Sequence, residues 1–89
     1  MDSQYIQELK LSFIGRGQVK GFIFTQLNKS ESSYIYQVDT NSGTHYEVFK
    51  RKVNTQFNCI SYPSDKAFGI WAWCCSSYER AKEIYDELD

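Results

Sequence analysis

The sequence predicts an α+β domain: an antiparallel sheet of four to five strands with a C-terminal helix packed on one face. Three observations carry that expectation. Alternating apolar and polar side chains, separated by polar turns, fill most of residues 19–53. Residues 66–75 are apolar on both alternating faces, as a central strand would be. From Ser76 onward the apolar period lengthens to that of a helix.

The elements follow in order. Residues 4–9 admit two readings. Tyr5 and Leu9 suit one helical turn, whereas Leu9, Leu11 and Phe13 alternate as in a strand or an extended arm. Gly15-Arg16-Gly17 is a turn, since this GxG lacks both the third glycine and the following helix of a phosphate loop. Residues 19–27 form the first long strand, with Gly21 marking a bulge or a close backbone approach. After the turn at residues 28–32, residues 33–39 place Tyr34, Tyr36 and Val38 on one face and Ile35 and Gln37 on the other. Residues 40–43 close a hairpin onto residues 44–53, where Tyr46 and Val48 oppose His45, Glu47 and Phe49.

Residues 54–65 hold at most a short irregular strand, which Pro63 stops. In residues 66–75, Phe68, Ile70, Ala72 and Cys74 share one face, and Gly69, Trp71, Trp73 and Cys75 the other. Ser76 and Glu79 read as a capping box, with Ser77 as an alternative cap. Tyr78, Ala81, Ile84, Tyr85 and Leu88 then form the helix stripe. The helix can cover the Ala72 face or the Trp73 face, and the pattern does not choose.

With 89 residues the chain makes a single domain, residues 1–89. Net charge is -1. Residues 1–52 hold seven Lys/Arg against five Asp/Glu, and residues 53–89 three against six. No global field attracts nucleic acid. No apolar run approaches the roughly 18 residues of a membrane span, and the N-terminus lacks the pattern of a signal peptide. Three cysteines cannot all pair, so a reduced, cytoplasmic chain is expected.

Two resemblances add to this reading. Residues 17–22 (GQVKGF), 45–52 (HYEVFKRK) and 62–73 (YPSDKAFGIWAW) resemble short bacterial proteins of the gut Bacteroides type. That family carries no assigned activity, and the resemblance implies a small soluble bacterial domain. The order of four antiparallel strands and one helix also resembles the single-stranded-DNA-binding domains of positive-cofactor-like transcriptional coactivators. This is an analogy of fold, which does not transmit function.

Candidate chemistry is sparse. Cys59, Cys74, Cys75 and His45 lack zinc-ligand spacing, and no metal or cofactor is expected. His45 could activate Cys59 or Cys75, with Asp65 orienting it, but no nucleophile motif surrounds them. Glu83 and Glu87 decorate a solvated helix face. Catalysis is therefore not the favoured reading. Tyr34, Tyr36, Tyr46, Trp71 and Trp73, with Lys50, Arg51 and Lys52, form the candidate interaction surface. An uncovered aromatic sheet face favours a protein partner or a homodimer. Rings beside Lys/Arg would alternatively suit single-stranded nucleic acid.

Overall fold

The computed structural model describes residues 6–88. The Tyr5–Leu9 pairing therefore lies outside the described residues. In chain order the elements are β1 (Ser12–Ile14), a 3₁₀ turn (Gly17–Val19), β2 (Ile23–Lys29), β3 (Ser33–Thr40) and β4 (Gly43–Lys50). There follow β5 (Val53–Asn54), β6 (Cys59–Ile60), a 3₁₀ turn (Asp65–Ala67), β7 (Ala72–Cys75) and α1 (Tyr78–Leu88).

The fold class is as expected. Five antiparallel strands pair in the order β1-β2-β3-β4-β7, with β5 and β6 as a separate ribbon and α1 packed on one face. Hydroxyls shape the hairpin turns. Ser30 Oγ accepts from the amides of Ser32 and Ser33 between β2 and β3. Thr40 Oγ1 donates to the Gly43 carbonyl between β3 and β4.

Strand boundaries depart from the sequence pattern in three places. Gly21, at φ 86°, belongs to the turn before β2. The bulge falls between Gln26 and Asn28, which pair with the consecutive residues Tyr36 and Ile35. The long run 66–75 is a strand only from Ala72. Before it, Gly69 takes φ 90°, and the amides of Ile70 and Trp71 both donate to the Ala67 carbonyl, folding those residues into a turn. β4 ends at Lys50; the Arg51 amide adds one further rung to the Ser32 carbonyl, and from Lys52, whose carbonyl accepts from the Ser61 amide, the chain leaves the sheet.

Two layers of core flank the sheet. On one face α1 lies over β3, β4 and β7, burying Ile35, Val48 and Cys75 against Ala81 and Tyr85. The helix therefore covers the Trp73–Cys75 side. On the other face Phe24, Tyr34, Tyr36, Val38, Phe49 and Ala72 are buried beneath irregular chain. That cover comprises residues 6–10, the β5–β6 ribbon and residues 61–68. Tyr62 is its central piece, standing edge-on over Phe13, Phe24, Tyr36 and Phe49 at centroid distances of 4.9–5.6 Å. The N-terminal segment is tied down by backbone bonds Gln7 N to Asn58 O (2.9 Å) and Ile60 N to Gln7 O (3.0 Å), and by the Tyr36 hydroxyl donating to the Lys10 carbonyl.

Candidate functional site

The residues expected to present rings separate into different environments. Tyr34 and Tyr36 are 0% exposed, so they are core residues and leave the candidate surface. Residues 6–10, an N-terminal strap, and the Tyr62 segment bury them where an open sheet face was expected. Tyr46 and Trp73 are half-buried beside the helix, with Tyr46 edge-on to Tyr78 at 6.2 Å. Trp71 packs at the margin of the opposite layer, with Lys52 Nζ 5.3 Å from its ring centroid. Trp71 and Trp73 thus serve different faces, because the turn at residues 69–71 breaks the alternation. Lys50 is exposed.

Arg51 has a structural partner. It forms a fork with the Glu8 carboxylate, through Nη2 to Oε2 and through Nε to Oε1 at 3.2 Å. The Tyr34 hydroxyl donates to the same carboxylate, and Lys29 Nζ lies 3.9 Å away. The Arg51 hydrogen bond, followed by that of Tyr34, holds the Glu8 carboxyl down to about 2 against an opposing contribution from burial. This cluster clamps the N-terminal strap onto β3 and the end of β4.

The proposed cysteine–histidine pairings do not form. His45 pairs with Val38 and lies on the loop-covered face, whereas Cys75 is buried against the helix on the other. His45 Nε2 instead lies 3.0 Å from Glu47 Oε2, and the Tyr62 hydroxyl donates to Glu47 Oε1 at 2.6 Å. Cys74 is opposite Glu47 in the sheet and exposed. Its thiol is pushed up, first by burial of its sulfur and then by the Glu47 charge, which disfavours a thiolate nucleophile. Burial likewise raises the Cys75 thiol, while Arg80 opposes the rise. Asp65 is exposed in its 3₁₀ turn, and Cys59 sits half-buried in the ribbon. Among the described residues no group of three or more His, Cys, Asp or Glu side chains is placed to hold a metal ion. Among the same residues no helix is long and apolar enough to cross a membrane.

Two surface features remain. The helix leaves the β1–β2 side of its own face open. There the cross-strand neighbours Ile14 and Ile23 are 66% and 46% exposed. β1 is also an edge strand, and no described strand pairs with its outer side. The bonds Gly15 N to Phe22 O and Gln26 N to Leu11 O fix the inward-bonding residues, so the peptide groups of Ser12 and Ile14 face outward. Sequence alternation contained this patch, but only the reach of the helix exposes it. On the opposite, loop-covered face lies a cleft of about 830 Å³ between the strap, the Gly15–Val19 loop and residues 59–68. Glu47 and Tyr62 meet beside it across a sequence gap of 15, a contact no local motif announces.

No family model, curated protein or solved structure matches the chain.

Proposed function

We propose that the chain is a non-enzymatic protein-interaction module that works by self-association through the β1–β2 margin. The observation supporting this reading is the exposed Ile14–Ile23 pair on the sheet face that the helix leaves open. Exposed adjacent branched side chains beside an unpaired strand edge are what a second sheet can cover. A two-fold arrangement lets the same patch serve both copies. A net charge of only -1 sets little repulsion between copies. The test is sedimentation velocity from low micromolar to about millimolar protein, where association is concentration-dependent. The wild-type coefficient should rise with concentration, and that of Ile14→Lys should stay at the monomer value. A wild-type monomer across the whole range would overturn the proposal.

Single-strand nucleic-acid binding draws no support from the ring geometry. Tyr34 and Tyr36 are inside, Arg51 is paired with Glu8, and Lys52 lies over Trp71.

A further inference from the structure

The cleft on the loop-covered face meets the β1–β2 margin at Ile14 but carries a different chemistry. Its volume of about 830 Å³ falls within the size of small-ligand sites. The Phe13 and Phe24 rings lie along it, stacked at 4.8 Å with 5° between planes, and Tyr62 stands edge-on to both. Lys10, Arg16 and Asp65 on its rim are exposed, so water screens their charges. Glu8 is already occupied by Arg51 and Lys29.

Glu47 differs from all of these. Its side chain is only 14% exposed, yet no Lys or Arg among the described residues forms an ion pair with it. It accepts from the Tyr62 hydroxyl at Oε1 and from His45 Nε2 at Oε2, and neither partner is a permanent cation. A carboxylate withdrawn from water without a full counter-charge is under-compensated, and an incoming cation supplies what is missing.

We propose that this cleft binds a small amine with an apolar, ring-bearing body, its ammonium group seated at Glu47 and its ring against Phe13 and Phe24. The aromatic wall accepts an apolar body, and ring faces also favour a nearby cation. Phe24 pairs with Val38 and through it with His45, so Glu47 lies two strands across and two residues along from Phe24, about 12 Å away. That separation suits a ring joined to its ammonium by a short aliphatic chain.

The test is a titration of the whole chain, followed by amide NMR, with phenylbutylammonium and its charge-reversed counterpart phenylbutyrate. The amine should produce saturable shifts at Phe13, Phe24, Glu47 and Tyr62, and phenylbutyrate should bind at least about tenfold more weakly. Glu47→Gln keeps an acceptor for the Tyr62 hydroxyl and should weaken the amine by about tenfold, whereas Asp65→Asn should leave it unchanged. Equal binding of the two probes by the wild-type chain would overturn the proposal whether or not Glu47→Gln folds. So would an absence of saturation, or saturable shifts that leave Glu47 and Tyr62 unmoved.

Discussion

Single side chains decide how the second face of the sheet is closed. Glu8 fixes the strap, and its pH dependence follows from its partners. Its carboxyl is held down to about 2 from an ordinary 4.5, so the stabilisation is fully present above about pH 4.5. It is lost as pH falls through 4.5 towards 2, because the unfolded chain takes up the proton first. The group is about one-third exposed, and solvent screening leaves about 1–2 kcal/mol. Glu8→Gln should therefore lower stability in urea unfolding at pH 7, and its deficit relative to wild type should shrink towards pH 2. Tyr62 has a larger role in packing. Tyr62→Ala removes four ring contacts and should cost about 3–5 kcal/mol. Tyr62→Phe removes only the bond to Glu47 and should cost about 1–2 kcal/mol, measured in the same way. Gly15 is constrained by space. A Cβ there would lie 2.4 Å from the Val19 carbonyl oxygen and 2.9 Å from the Phe24 ring, so Gly15→Ala should lower thermal stability by about 1–3 kcal/mol.

At the scale of elements, the helix shows how local and tertiary information divide. Its apolar stripe was legible from Tyr78 to Leu88, and the structure buries that stripe on Ile35, Val48 and Cys75. Its cap was legible only to within one residue. Ser77 Oγ accepts from the Arg80 amide at 3.2 Å, so Ser77 is the N-cap and the expected Ser76–Glu79 box is displaced. Ser77→Ala should cost about 1 kcal/mol in urea unfolding, while Ser76→Ala should be near neutral. Adjacent serines offer two caps, of which only Ser76 has an acid three residues on. Where the chain leaves β7 selects between them. The run 66–75 departs from its pattern for another reason: residues 69–71 have the composition of a central strand but fold as a local turn that leaves Ile70 73% exposed. Trp71 is half-buried in that turn, and no alternation rule applies to it.

For the whole molecule, the two faces have different kinds of cover, and the thiols report that difference. Cys75 lies under the helix, Cys59 half-buried in the ribbon, and Cys74 exposed beside Glu47 on edge strand β7. In the native protein a thiol reagent should modify Cys74 first and Cys75 last. Even Cys74 should react more slowly than an ordinary exposed thiol at pH 8, because its raised pKa leaves less thiolate. Modification of Cys75 at the rate of Cys74 would contradict the placement of the helix. The sequence by itself determined the alternating faces of β3 and β4, the C-terminal helix and the antiparallel order of the hairpins. Each depends on neighbours within a few residues. Only the tertiary structure decided that the helix chooses the Trp73–Cys75 side, that the aromatic face is roofed by irregular chain, and that Ile14 and Ile23 remain open. Those outcomes rest on contacts such as Glu8–Arg51, 43 residues apart, and Tyr62–Glu47, 15 apart. Local periodicity records which face of a strand is apolar; what covers that face depends on which distant segment reaches it.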